Sequence, residues 1–398
     1  MTKRLYYFDS YLKEFCGEVT RQLKIDGMPA VILDRTAFYP ESGGQPHDTG
    51  SLGEARVLRV LEDDAGEIIH ILDRDIPIGP VSGLIDWERR FDHMQQHTGQ
   101  HILSQAFIAV VKAATLSFHM GQETSTIDVD LAEPSASRME DVQTLASGIV
   151  FENRAVHVLT TDRENLGSLG IRKESQREGE IRVIDVEGFD RSACGGTHVR
   201  HTGEIGIVAI LGFERYKGGT RVEFAAGQRA LKILSGDHAL LKELCGLYST
   251  GPDNLADMTE KLFQERAALS KGKDRLQAQL LDMEAESMIA GAGQAGRTAI
   301  IRRTYSGRKL EDVKVLAQKL AAHPGIVAIL AIDDARQLVV ARSAGLPGSC
   351  HEAIRQVTAE FGGKGGGRPE LAQAGGIPAD SLDACLAALE KHFSSIHL

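Results

Sequence analysis

The chain has 398 residues, 42% hydrophobic and 25% charged, with a formal net charge of −10 at pH 7. That length exceeds one ordinary core and implies several domains of a soluble globular protein, and no apolar run is long enough for a membrane span. The acidic balance excludes indiscriminate coating of nucleic acid, which needs a basic surface to release counterions, and leaves room only for local basic patches.

The N-terminal residues lack the apolar region of a signal peptide, and five scattered cysteines form no disulfide framework. A reducing, cytoplasmic setting is the expectation. Up to about residue 87, short alternating or apolar runs (17–24, 29–33, 55–60, 68–72) are punctuated by turns such as Asp26-Gly27. This pattern predicts a small β-barrel over 1–88. From Arg89 the pattern changes to a helix over 94–112, a strand over 124–131 and a helix over 137–153. Strands at 182–186, 205–212 and 221–225 follow, which makes 89–230 a mixed α+β domain. Residues 231–296 read as helical and polar. Leu255, Leu262, Leu269, Leu276 and Met283 recur every seven residues, but the companion seam carries Glu265, Gly272, Gln279 and Glu286. A coiled coil wants both seams apolar, so long helices lying on a neighbouring domain, broken near Gly272, are favoured.

Residues 297–398 read as a C-terminal α/β unit: strand 299–303, helix 310–322, strands 326–332 and 337–341, then two helices. Between those helices lies Phe361-Gly362-Gly363-Lys364-Gly365-Gly366-Gly367-Arg368-Pro369. Its glycines free the backbone for close approach to a ligand, and Lys364 and Arg368 supply positive charge; a flexible linker is the equal alternative. The predicted fold class is therefore α+β multidomain.

Two motifs carry chemistry. His97-Thr98-Gly99-Gln100-His101 puts two imidazoles at i and i+4 on one helix face, roughly 6 Å apart. Cys194-Gly195-Gly196-Thr197-His198 puts a thiolate and an imidazole on a glycine turn. Three nitrogens and one sulfur suit Zn²⁺ better than a harder cation. If His198 binds, the site is closed and the metal orders the pocket. With three protein ligands, it keeps a position for water or substrate.

Phe38-Tyr39-Pro40-Glu41-Ser42-Gly43-Gly44-Gln45-Pro46, the run Arg89 to His101, Cys194 to Val199, Thr202-Gly203-Glu204-Ile205-Gly206 and Gly219-Thr220-Arg221-Val222-Glu223 occur in that order. In this combination the chain resembles the long-form freestanding alanyl-tRNA editing proteins, which look like the editing and C-terminal parts of alanyl-tRNA synthetase. The Gly363–Gly376 stretch is similar to the domain those synthetases share with DHH-type phosphoesterases. No class II catalytic domain, Walker loop or DHH motif accompanies it.

The resemblance implies hydrolysis of the ester joining a wrong amino acid, chiefly serine with glycine a further candidate, to tRNA(Ala). Because serine is larger than alanine, a smaller second sieve cannot catch it. The site must instead bond the hydroxyl that alanine lacks, a contrast that can discriminate by roughly 10⁴ or more. Thr98, between the two His ligands, is the expected hydroxyl reader, and Gln100 is either a substrate contact or solvated. The Gly43-Gly44-Gln45 turn, with Arg89 and Arg90, is expected to shape the passage for the tRNA 3′ end, while Lys364 and Arg368 meet phosphates of the tRNA body. Seryl-tRNA(Thr) editing and a non-catalytic, zinc-structured tRNA-binding protein are the competing readings. A homodimer through the helical linker or C-terminal domain is a further expectation.

Overall fold

Alternation along the first eighty-five residues closes a barrel. The strands run in the order Glu14–Ile25, Met28–Leu33, Ile68–Leu72, Ala55–Glu62, Gly50–Leu52 and Gly79–Ile85, and the last pairs back to the first. Asp26 and Gly27, with φ of 50° and 80°, make the tight turn that joins the first two strands. Inward residues such as Val19, Val31, Leu33, Val60 and Leu72 fill the interior. The barrel is the one expected from the sequence.

The computed structural model describes residues 1–162, 170–172, 180–292 and 298–396. The expected division between 296 and 297 has one side outside the described residues and the other, residue 297, outside them as well. The chain divides into two compact units, Met1–Leu247 and Tyr248–Leu398, with the boundary inside the helical stretch.

Helix α1 (Trp87–Val111) leaves the barrel and becomes the centre of the first unit. Asp86 caps it by accepting the Arg89 N–H, and Lys112 ends it in the left-handed conformation. Nearly every residue from Arg90 to Phe107 is buried, polar ones included. A four-stranded antiparallel sheet, in the order Val208–Tyr216, Gly219–Ala226, Ser125–Val129 and Thr115–Met120, packs against α1 and α2 (Ala136–Phe151). Gly99 permits the approach: a Cβ there would lie 3.0 Å from Ala226 Cβ. Gln96 locks it, accepting the Ala226 N–H at 2.9 Å and donating to Ala226 O at 2.8 Å. A three-stranded antiparallel sheet of Val156–Thr161, Ile181–Val186 and Asp190–Ala193 carries the chain into the Cys194 turn. Helix α3 (Gly227–Tyr248) follows the sheet.

In the second unit, α4 (Leu255–Gly291) runs unbroken through Gly272, correcting the expected interruption. One glycine among good helix formers costs only about 1 kcal/mol. Leu262, Leu269, Leu276 and Met283 are exposed along it, and the buried contacts are made instead by Leu281 and Ala285. The sheet order is Ala299–Tyr305, Ile326–Ile332, Gln337–Arg342, Leu371–Gly375, Lys364–Arg368. Only the first pair is parallel, so the expected α/β unit is a mixed sheet. A short turn between Ile332 and Gln337 cannot supply a parallel crossover. The glycine-rich stretch is neither loop nor linker but the edge strand. Gly365 fits under α6 (Cys350–Phe361), where a Cβ would lie 2.5 Å from Ile354 Cγ2. Helices α5 (Leu310–Ala321) and α7 (Leu382–Ile396) complete the unit.

Candidate metal centre

Helical spacing places His97 and His101 one turn apart on α1, with ring centroids 5.3 Å apart. The turn after Asp190–Ala193 delivers Cys194 and His198 to the same point. Nε2 of His97 and Nε2 of His198 each lie 3.4 Å from Cys194 Sγ, and one donor atom from each of the four residues falls within 4.8 Å of the others. Gly196 makes this possible, since a Cβ there would sit 2.2 Å from His97 Cε1.

Each imidazole is held from behind. His97 Nδ1 meets Gln45 Oε1 at 2.8 Å, His101 Nδ1 meets Asp190 Oδ2 at 3.1 Å, and His198 Nδ1 meets Thr98 Oγ1 at 3.1 Å. The Thr98 hydroxyl donates to Met94 O at 2.8 Å, so towards His198 it accepts; the Gln45 oxygen and the Asp190 carboxylate are acceptors too. All three rings are thereby fixed as Nδ1–H tautomers with Nε2 turned to the common point, which is how metal-binding histidines are oriented. Arg172 donates to Asp190 Oδ1 at 2.7 Å, and Ser192 also donates to that carboxylate. Gln45 is fixed by Thr197, donating to its Oγ1 at 2.8 Å and accepting its N–H at 3.1 Å. Arg182 Nη1 clamps the Cys194 turn through Cys194 O (2.9 Å) and Gly196 O (2.7 Å).

Electrostatics follow the geometry. Burial by itself raises the Cys194 thiol, but the charges of His97 and His198 and a bond from His101 bring it well below its ordinary range. Burial, reinforced by His97, pushes His198 well down. Burial opposes protonation of His101, yet Asp190 holds it above its usual value. Asp190 is raised by burial and then drawn to about 2 by His101 and Arg172. A thiolate and oriented imidazole nitrogens form a borderline-soft N₃S donor set, so the residues fit Zn²⁺.

His97, His101 and Cys194 of the cluster line a cavity of about 300 Å³, together with Tyr6, Gly43, Gln100, Phe118 and Arg182, while His198 is not part of its wall. Several sequence expectations change here. Thr98 is fully buried and is not part of that wall. Its hydroxyl donates once and accepts from His198 Nδ1–H and, at 3.2 Å, from Val199 N–H, which exhausts its bonding capacity. A substrate hydroxyl therefore has nothing to bond there. Gln100 does line the cavity, with Nε2 donating to Ser104 Oγ at 2.7 Å. Gln45 is wholly buried behind His97 and is not a surface for RNA. Gly43 borders the cavity, while Gly44 packs so tightly that a Cβ would fall 2.6 Å from Phe118 O.

Arg90 is also corrected. It is fully buried, bound to Asp48 and donating to Ser10 O (2.9 Å) and Ala37 O (2.6 Å), so it fastens α1 to the barrel and cannot reach a phosphate. Arg89 is half-buried in a different cleft, with Nε on His47 O at 3.0 Å. Lys364 and Arg368 are exposed at the two ends of the edge strand in the second unit. Sequence reasoning missed Gln45 and Asp190 as the partners of His97 and His101. They lie 52 and 89 residues from them, with no local signal for the contact.

Residues 181–223 match the family described as the threonyl and alanyl tRNA synthetase second additional domain, and residues 298–395 match the DHHA1 domain. The chain is 31% identical over 342 residues to the alanyl-tRNA editing protein Aarsd1-B of Xenopus laevis, covering 85% of this chain and 82% of that protein. It is 29% identical over 408 residues to the alanyl-tRNA editing protein AlaX-L of Pyrococcus horikoshii, covering 98% and 99%. It is 31% identical over 391 residues to the alanine--tRNA ligase of Pyrococcus furiosus, covering 94% of this chain but 42% of that enzyme. The chain belongs to the alanyl-tRNA editing protein family.

Proposed function

We propose that this chain is an aminoacyl-tRNA deacylase that hydrolyses mischarged seryl-tRNA(Ala) in trans, with glycyl-tRNA(Ala) as a second substrate. The observation that carries the reading is the N₃S cluster, of which His97, His101 and Cys194 line a cavity of about 300 Å³, in a chain of this family. His97, His101, Cys194 and His198 would hold Zn²⁺. Held by all four residues, zinc would have a closed coordination shell and would order the pocket wall.

The chain's own groups do the rest. Gln45, Asp190 and Thr98 keep the three imidazoles from rotating, and Arg182 places a buried cation beside the Cys194 turn. Such preorganised charge favours a developing oxyanion. Serine must be read by a group with bonding capacity left. Among the described residues, Tyr6 Oη and Arg182 Nη2 of this wall are buried without partners, and Gln100 stands among them, so these three replace Thr98 as the proposed readers. Alanine leaves those groups unpaired, which is the basis of discrimination. Lys364 and Arg368 are proposed to meet tRNA phosphates.

The test is hydrolysis of seryl-tRNA(Ala), alanyl-tRNA(Ala) and seryl-tRNA(Thr) by the wild type and Cys194→Ala, with zinc measured in both. The reading expects kcat/KM for seryl-tRNA(Ala) to exceed that for alanyl-tRNA(Ala) by about 100-fold or more, and to collapse with zinc content in the variant. Equal rates on the two tRNA(Ala) esters, or rates no faster than spontaneous decay, refute it. Faster turnover of seryl-tRNA(Thr) assigns the activity to the threonyl branch that the matched domain also includes.

A further inference from the structure

A second cleft, of about 1230 Å³, is lined by elements that also line the metal cavity. The loop from Glu41 to His47 and the strand Thr115–Met120 contribute to both: Ser42, Gly43 and Phe118 line the metal cavity, while Glu41, His47, His119 and Met120 line the cleft. His93, one turn or about 6 Å before His97 on α1, belongs to the cleft.

Polar atoms without partners mark it as a binding site. His93 is 2% exposed and Gln95 5% exposed, and among the described residues neither His93 Nδ1 nor Gln95 Oε1 has a hydrogen-bond partner. The Gln95 amide cannot be turned round, because Nε2 already donates to Glu204 O at 2.9 Å. Gly227, at φ +57°, packs against this oxygen, since a Cβ there would lie 2.1 Å from it. Burial and the charges of Arg89 and Arg229 lower His93 to about 3, so at neutral pH it is a neutral ring that can donate or accept. Buried groups of this kind are normally satisfied.

The lining also selects a chemistry. Glu41, Asp86, Glu88 and Asp92 line the cleft with Arg89, Arg229 and Lys232, and Arg229 is paired with Asp92, so the lining carries no net positive charge to favour a bare phosphate. Trp87 is half-buried in the lining. Lys13 Nζ lies 4.4 Å from its ring centroid, and the Tyr11 and Phe91 rings lie 5.4 and 5.5 Å away, so only the surface these leave free meets the cleft. Aromatic surface beside an unpaired acceptor fits a nucleobase whose exocyclic amino group donates, that is cytosine, adenine or guanine and not uracil.

The geometry points to this cleft as the seat of an amino-bearing base from the unpaired 3′ end of the tRNA, the nucleotides that precede the esterified one in the metal cavity. This rests on the deacylase reading, but its test needs no turnover. Trp87 is the only tryptophan in the chain, so its fluorescence reports on the cleft directly. The wild type is titrated with CMP, AMP, UMP and inorganic phosphate, then with uncharged tRNA(Ala) and with the same tRNA lacking its three 3′ nucleotides. CMP and AMP should perturb Trp87 about tenfold more tightly than UMP, phosphate should have no effect, and intact but not truncated tRNA should displace CMP. Gln95→Met, checked for folding by its thermal melt, should erase the preference over UMP; the wild-type series decides if that variant does not fold. No response to CMP or AMP, an equal response to UMP, or mononucleotide binding that intact tRNA leaves untouched overturns the proposal. Loss of hydrolysis with this pattern intact would refute the deacylase reading alone.

Discussion

Replacing Thr98 by valine separates a residue that reads substrate from one that holds a metal ligand. Valine keeps the shape, so no cavity opens, but it removes the oxygen that accepts from His198 Nδ1–H and Val199 N–H. Both donors are buried. Leaving each unsatisfied costs about 1–3 kcal/mol, so Thr98→Val should lose roughly 2–6 kcal/mol of stability. The released His198 ring should weaken metal affinity by about 10–100-fold, the usual effect of losing a partner behind a ligand. Thr98→Ser keeps the hydroxyl and loses one methyl, about 1 kcal/mol, and should bind metal almost as the wild type does. Urea melts and competition against a chromophoric chelator measure the two effects. The reasoning fails if Thr98→Val binds metal normally yet no longer prefers seryl- over alanyl-tRNA(Ala).

Three further outcomes follow from single contacts. Gly196→Ala should cut metal affinity by at least about tenfold by displacing His97, whereas Gly195→Ala, whose nearest neighbour would be Tyr7 Oη at 3.4 Å, should behave as wild type; similar behaviour of the pair in chelator competition contradicts the close approach. Arg90→Leu should destabilise by about 3–5 kcal/mol, because Asp48 stays buried without its partner, and should leave the salt dependence of tRNA affinity unchanged; a flatter salt slope in a folded variant would restore an RNA role. Fully buried His70, which bonds Thr36 Oγ1, is lowered to about 4 mainly by burial. Its contribution is present above pH 6.5, where the ring is neutral in both states, and is lost as pH falls towards 4 because the unfolded chain binds the proton first. Between pH 7 and 5 the loss is about 2 kcal/mol, so urea melts of His70→Leu should show a correspondingly shallower pH slope than wild type, and equal slopes would refute it.

The barrel and all four cluster residues are readable from sequence because each rests on a short-range pattern: alternation for the strands, i and i+4 for His97 and His101, one glycine turn for Cys194 and His198. What lies behind the cluster is not readable. Gln45 comes from the barrel loop and Asp190 from a strand far along the chain, and only the fold brings them to the rings. Arg89 and Arg90 look alike in sequence, yet the helix turns one into the barrel against Asp48 and the other into the second cleft. Lys364–Arg368 concealed a strand because three successive glycines carry no alternation, and their pairing depends on the helix crossing above them. Thr98 was well placed by spacing and misassigned by role, since the demands of His198 and Val199 on its one oxygen are tertiary.

The central claim is that His97, His101, Cys194 and His198 share one ion. X-ray absorption at the zinc edge of the metal-loaded protein tests it most directly. One equivalent of zinc with three nitrogens at about 2.0–2.1 Å and one sulfur at about 2.3 Å, and loss of the sulfur shell in Cys194→Ala, is the predicted result. A stoichiometric site without sulfur, or no tightly held zinc in the wild type, would contradict it.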